Sequence, residues 1–146
     1  MMPSDTSHTG IFFNELQARV IKDWTSSGRD SRVLEIACGT GRLTISLTGC
    51  FKEIIAVDIS TNMLDIAREK VNRVGVTNIT FLRVNSRKLS FSENTFDTII
   101  CFNFLHLIPN DQKVEFMAEF ARVLKPCGKS SLLSSKAHFM GFSLLY

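Results

Sequence analysis

The sequence predicts a doubly wound α/β domain on a mainly parallel sheet of about five strands. Short apolar, β-rich runs alternate with stretches of helical period. Strands separated by helical segments make βαβ units, hence a parallel sheet with right-handed crossovers. The run over 96–102 is also continuously apolar, as a strand covered on both faces should be. At 146 residues the chain has room for one domain. We read it as an N-terminal helix over 9–27, a core over 32–135 and a short tail over 136–146.

Taken in order, Phe13, Leu16, Val20 and Trp24 form an amphipathic stripe that predicts a helix on the flank of the sheet. Residues 33–37 are the first strand. Leu43 and Leu47, four apart, suit a short helix ending at Gly49. Residues 54–59 are the second strand. Ser60 caps the next helix, whose apolar face is Met63, Leu64, Ala67, Val71 and Val74, and Gly75 stops it. Residues 79–84 and 96–102 are the third and fourth strands. Pro109-Asn110-Asp111 opens a further helix with Val114, Met117, Phe120, Ala121 and Leu124 at three- and four-residue steps, closed by residues 125–128. Leu132-Leu133 marks the fifth strand.

Composition excludes several classes. Apolar residues make up 45% and charged ones 21%, which is not a disordered chain. A chain of this size buries roughly 68–70% of its unfolded surface, enough for a core. The longest near-apolar run, 99–108, is interrupted by Asn103 and His106 and falls short of the roughly 18 residues of a membrane helix. The start of the chain is polar and shows no secretory signal. A net charge of +3 is too weak to argue for nucleic acid, and the loose cluster Arg83, Arg87, Lys88 reads as solvated surface. Cys38, Cys50, Cys101 and Cys127 make no Cys-x-x-Cys pair and have no histidine at metal-ligand spacing. We expect reduced thiols, no metal, no membrane and a cytoplasmic protein.

In a doubly wound sheet the ligand lies outside the C-terminal strand ends, where strand order reverses. The first strand exits as Glu35-Ile36-Ala37-Cys38-Gly39-Thr40-Gly41. Two glycines spaced by one residue let the backbone turn sharply and approach a ligand. The helix beyond Gly41 turns free N–H groups the same way. Asp58 ends the second strand, where a carboxylate can accept both hydroxyls of a ribose. Singly these read as a tight βα turn and a carboxylate at a helix start; in this order and spacing they point to a nucleoside. Thr44 stands where the third glycine of G-x-G-x-x-G would fall. Glu35, at the mouth of the turn, would repel a pyrophosphate and suits a ligand bearing an ammonium and a sulfonium. That favours S-adenosyl-L-methionine over NAD.

The run 33–41 resembles the glycine-rich motif of the class I S-adenosylmethionine-dependent methyltransferases, in particular the small-molecule type related to quinone- and biotin-pathway methyltransferases. Residues 56–64 resemble that family's ribose-binding strand end, 89–97 its loop before the fourth strand, and 122–128 the turn before its fifth. The likeness covers about 33–135. It implies a Rossmann-like sheet of order 3-2-1-4-5, S-adenosyl-L-methionine as cofactor, and methyl transfer to a small-molecule acceptor by in-line displacement. It implies cofactor contacts from Glu35, Ala37, Cys38, Gly39, Thr40 and Gly41, from Asp58, Ile59 and Met63, and from Asn85 and Ser86. Asn85 stands where the family often has an Asp on the adenine amino group; its carbonyl can accept that bond uncharged, or it is a strand-ending turn residue. Ala37 replaces the usual first glycine. Cys127 replaces a glycine in a turn that often has a positive φ.

Family domains normally continue past the fifth strand with a helix and an antiparallel pair of strands. Only residues 136–146 follow here, so the sheet is expected to stop at five strands and lack that pair. The bare fifth-strand edge, near Phe139, Phe142, Leu144 and Leu145, would be covered by the tail, paired with a second copy as a homodimer, or left by shortening. Should the acceptor need to lose a proton, His106 is the candidate base, although a histidine on an apolar segment is more often structural. Phe102, Asn103 and Phe104 beside it would floor the acceptor site or pack the core. A non-catalytic S-adenosylmethionine-binding domain, a truncated relic or a partner subunit, is the alternative. A nicotinamide oxidoreductase is the weaker third.

Overall fold

β1 (Arg32–Ile36) is buried from Val33 onward, because apolar residues point to both of its faces and both are covered. β2 (Glu53–Asp58) and β3 (Ile79–Arg83) lie to one side of it and β4 (Phe96–Phe102) to the other, all parallel. β5 (Leu124–Ser134) follows β4 in parallel, and β6 (Ala137–Ser143) closes the edge in antiparallel pairing. The order is β3-β2-β1-β4-β5-β6. Strand order reverses between β1 and β4, which opens a crevice at their C-terminal ends. This computed structural model describes residues 18, 19, 21, 30–102, 104–134 and 137–143. The predicted stripe Phe13, Leu16, Val20, Trp24 lies outside them; Ala18, Arg19 and Ile21 are helical.

Helices cover both faces. α1 (Arg42–Leu47) sets Leu43 and Leu47 on Val33, Ile54 and Ile100, with Ile21 in the same cluster. α2 (Thr61–Val74) sets Leu64, Ala67 and Val71 on Ala56 and Phe81. The Ser60 hydroxyl caps it by accepting from the Met63 amide, and Gly75 ends it at φ 75°, as the sequence predicted. On the opposite face α3 (Lys113–Val123) packs Phe116, Phe120 and Val123 against Leu34, Ile36, Ile55, Val57 and Ile99. Asn78 fastens the start of β3: its amide donates to the carbonyls of Thr48 and Phe51 at 2.7 and 3.0 Å, and its oxygen accepts from the Thr48 hydroxyl. No described helix is long and apolar enough to cross a membrane.

Three expectations are corrected. The sheet does not stop at five strands: the chain doubles back after β5, so that Lys129 faces Ser143 and Leu132 faces Met140. An unpaired edge leaves N–H and C=O groups without partners, and a hairpin fills them with little loop-closure cost. The tail therefore occupies the β5 edge, one of the three fates expected for it. Secondly, β5 begins at Leu124, directly after α3, and carries an irregularity opposite Phe96 and Thr98 before regular pairing resumes at Lys129. Cys127 within it has φ 62°, the left-handed conformation expected there. A Cβ on Gly128 would come within 2.7 Å of Leu124, so only glycine fits. Thirdly, the buried face of α3 is rotated from the one predicted. Phe116 and Val123 point inward, while Val114 is 74% exposed. The stripe that starts at Val114 and the one that starts at Phe116 both have helical spacing, and the larger aromatic takes the core.

Candidate functional site

The turn after β1 takes a left-handed conformation at three of its residues: Ala37 (φ 54°), Gly39 (φ 56°) and Gly41 (φ 76°). The two glycines answer different demands. A Cβ at Gly41 would meet the Cβ of Ala67 at 3.1 Å, so its smallness lets α2 approach. A Cβ at Gly39 would meet nothing within 4 Å, so there the backbone angle sets the choice and the space beside it is open. Ala37 holds a positive φ with a side chain attached, a conformation that costs about 1–2 kcal/mol for an L-residue.

Asp58 organises this turn from the end of β2. Its Oδ2 accepts the Gly39 amide at 2.9 Å and its Oδ1 accepts the Ser60 amide at 2.9 Å. A carboxylate has about four lone-pair sites, so two remain beyond these bonds. The Cys38 amide donates to the Val57 carbonyl at 3.0 Å, continuing the β1–β2 ladder into the turn.

Beside Asp58 opens a cavity of about 440 Å³, within the size range of small-molecule sites. Ala37 contributes from the turn after β1, Asp58 and Ile59 from the end of β2 and the residue after it, and Val84, Asn85 and Ser86 from the exit of β3. Phe102, Phe104 and Leu107 contribute from β4 and the 3₁₀ turn after it (Leu105–Leu107), and Phe116 from α3. One side is thus polar and the other aromatic. Phe104 and Phe116 meet edge to face at 5.7 Å between centroids. Ile59 is 61% exposed at the rim, an apolar surface left open where strand ends usually bury theirs. The loop that carries Asn85 and Ser86 is pinned to α3. The Arg122 guanidinium donates to the carbonyls of Leu89 and Phe91, and Glu119 accepts the Leu89 amide.

The structure brings together Ala37, Asp58, Ile59, Asn85 and Ser86 from the residues singled out in the sequence. Gly39 and Gly41 shape the turn without lining the cavity. Cys38 is buried and Met63 is partly exposed on α2, and neither of them, nor Thr40, lines it. Asn85 is a turn residue: its Oδ1 accepts the Arg87 amide at 3.0 Å, and the same residue borders the cavity. His106 is exposed in the 3₁₀ turn and does not line the cavity, although Phe104 and Leu107 around it do. Asn103 lies outside the described residues. Val84, Leu107 and Phe116 were not foreseen: Val84 ends an apolar strand, Leu107 lies in an apolar run, and Phe116 lies off the face predicted for its helix.

Glu35 is not at the mouth of the turn. Its side chain is 2% exposed behind the turn, where Oε2 accepts the Thr44 hydroxyl from α1. Strand alternation explains the misplacement: Glu35 shares its face with Val33, under α1, while its neighbour Ile36 takes the other. Burial pushes its carboxyl up to about 7, and the Thr44 hydrogen bond opposes that only in part. Burial first, then the Glu35 charge, raises the Cys101 thiol to about 12; Cys38 is raised in the same way, with Asp58 adding to it.

Residues 33–128 match the methyltransferase domain family. The demethylmenaquinone methyltransferase of Bacillus cereus is 34% identical over 116 residues, which are 77% of this chain and 48% of that protein. The chain therefore spans about half the length of the curated relatives it matches. Among solved structures, the YcgJ protein of Bacillus subtilis is similar with a TM-score of 0.75 at 26% identity, over 80% of this chain and 49% of that one. A SAM-dependent methyltransferase from Aquifex aeolicus shares the fold, with a TM-score of 0.71 at 24% identity over 81% and 64% of the two chains.

Proposed function

The chain belongs to the methyltransferase domain family, and on that premise we propose that it binds S-adenosyl-L-methionine in the cavity beside Asp58 and passes the methyl group to a small-molecule acceptor. One observation carries the reading. Asp58 uses one lone pair on each oxygen to brace the turn, keeps acceptor capacity on both, and lines the cavity, an arrangement suited to the two hydroxyls of a ribose. Ile59 suits the face of a flat purine ring, and Asn85 with Ser86 offers polar groups to its edge. The neighbour named as SAM-dependent shares this sheet.

When bound, the cofactor supplies an electrophilic methyl group on a sulfonium whose departure needs no acid. The protein's part is then to hold and to dry. Asp58 and the turn fix the nucleoside, and Phe102, Phe104 and Phe116 exclude water beside it. Holding an acceptor atom in line is worth roughly 7–11 kcal/mol in well-oriented systems. The aromatic side favours an apolar or ring-bearing acceptor, in keeping with the relative named as a demethylmenaquinone methyltransferase. The unbridged Cys38, Cys50, Cys101 and Cys127 suit a reducing, cytoplasmic setting.

Titration calorimetry with S-adenosylmethionine, S-adenosylhomocysteine and NADH tests binding; saturable binding of NADH alone would end this reading. Transfer of labelled methyl to a panel of small quinols, phenols and amines tests catalysis. Binding without any transfer would move the chain to the non-catalytic alternative.

A further inference from the structure

The sheet ladder on the β3 side ends where the Val84 amide donates to the Asp58 carbonyl at 3.1 Å. Asn85 and Ser86 stand just beyond it on the cavity, at the head of a connection that runs to Thr95 without helix or strand. α3 holds that connection. Leu89 is gripped through both of its backbone groups: its amide donates to Glu119 Oε2 at 2.7 Å, and its carbonyl accepts from Arg122 Nη2 at 2.8 Å. Arg122 Nη1 donates to the Phe91 carbonyl at 2.7 Å, and its Nε and Nη2 donate to Glu119 at 2.8 and 3.0 Å. The Arg122 carbonyl accepts the Asn94 amide at 3.0 Å. Arg87, beside Ser86, pairs with Glu115, one turn back from Glu119 on the same helix.

Ion pairs along an exposed helix add little stability, and Arg87–Glu115 is such a pair. Arg122 is placed differently. Its planar fork serves two backbone carbonyls and a carboxylate at once, a geometry that the point charge of a lysine cannot reproduce. Those carbonyls belong to the connection that Asn85 and Ser86 open, three and five residues beyond Ser86. α3 also carries Phe116 in the aromatic wall of the cavity. One helix therefore sets where the polar wall and the aromatic wall stand.

Resting on the reading above, we propose that Arg122 is a positioning residue for the cofactor: it clamps Leu89 and Phe91 to α3 and thereby fixes Asn85 and Ser86 at the edge of the purine. Arg122 does not itself line the cavity. Adenine presents an amino donor beside a ring-nitrogen acceptor at that edge, and hypoxanthine presents a carbonyl acceptor beside an N–H donor. Polar groups held in one place favour the first pattern over the second, while the same groups set loose turn to suit either. The clamp thus governs discrimination between purines as well as affinity.

The test is titration calorimetry of the full chain with S-adenosylhomocysteine and S-inosylhomocysteine. The wild-type chain is expected to prefer the adenosine form by about tenfold or more. Arg122→Gln should weaken that form at least about fivefold and leave the inosine form nearly unchanged, so that the ratio of the two falls. Arg122→Lys keeps the charge but not the fork, and should give an intermediate ratio. Asn78→Ala is the control. It breaks the clamp at the opposite end of β3, so stability should drop while the ratio stays at the wild-type value. Should Arg122→Gln fail to fold, Arg122→Lys and Glu119→Gln carry the comparison. A wild-type ratio in the folded Arg122 variants, or an equal fall in Asn78→Ala, overturns the inference. So does equal binding of both purines by the wild-type chain, which leaves the cofactor reading intact. Binding of neither nucleoside overturns both.

Discussion

The Gly39 amide donates to Asp58 Oδ2 at 2.9 Å across nineteen residues of sequence. The carboxylate that borders the cavity is therefore also the brace of the turn. The turn and the cavity wall share this residue, so a change at Asp58 acts on both.

Asp58→Ala should weaken S-adenosylmethionine by more than about 1 kcal/mol, since it removes a charged acceptor. It should also lower stability by about 1–3 kcal/mol, because the Gly39 and Ser60 amides lose their partner. Asp58→Asn should do little better, as its NH₂ must face one of those two amides. Calorimetry for binding and urea unfolding for stability separate the two effects. Unchanged affinity in a folded Asp58→Ala chain would remove Asp58 from the site.

Glu35 should make stability depend on pH in a defined window. Its carboxyl is raised from 4.5 to about 7 in the folded chain. Below about pH 4.5 it is protonated whether folded or not and takes nothing from stability. Between there and about 7 the unfolded chain releases the proton first, so stability falls as pH rises and then levels off. At 1.36 kcal/mol per unit the loss is on the order of 3 kcal/mol. Urea unfolding at pH 5, 6, 7 and 8 should show a steeper fall in the wild-type chain than in Glu35→Gln. Equal slopes would mean that the carboxyl is better solvated than its burial indicates.

The sheet and the polar side of the site were legible in the sequence because local chemistry fixes them. Gly39 and Gly41 declare a left-handed turn, Asp58 closes an apolar run, and Ser60 and Gly75 punctuate α2. What was not legible depends on which way a side chain faces once several elements pack. Glu35 alternates inward under α1, and Phe116 rather than Val114 turns toward the sheet. Val84 and Leu107 reach the cavity only because strand ends and a 3₁₀ turn converge there. β6 was legible only as one of three fates of the bare edge, cover by the tail, because hairpin return is a tertiary event that the tail's own composition does not announce.

Cys127 offers a stability change far from the cavity. It is exposed and holds φ 62° with a Cβ in place, which strains an L-residue. Cys127→Gly should therefore gain about 0.5–1 kcal/mol, the relief of strain being partly offset by a more flexible unfolded chain. Cys127→Val, β-branched and less tolerant of that angle, should lose stability. Melting temperatures that rank the valine above the glycine would show that the irregularity in β5 relaxes to a negative φ.

Thr98 stands on β4 with no exposed surface, and its hydroxyl has no hydrogen-bond partner among the described residues. Burying an unmatched hydroxyl weakens the fold. Thr98→Val keeps the shape and removes the group, and should raise stability by about 1 kcal/mol. A loss on this substitution would mean that the hydroxyl is bonded after all.

His106 tests whether the site needs a base. A base has to reach the proton that it takes, directly or through one water. His106 is exposed on the 3₁₀ turn and the cavity is lined by its neighbours Phe104 and Leu107 instead. Transfer to a neutral amine or to an already ionised oxygen or sulfur needs no proton removed beforehand. His106→Gln should accordingly leave the turnover number within about twofold and the shape of its pH profile unchanged from pH 6 to 9. Leu107→Ala, at the rim itself, should raise KM for an apolar acceptor several-fold with little effect on cofactor binding. A tenfold fall in turnover for His106→Gln, with loss of an ionisation near neutrality, would instead make His106 the base and would require the 3₁₀ turn to swing inward when the acceptor binds.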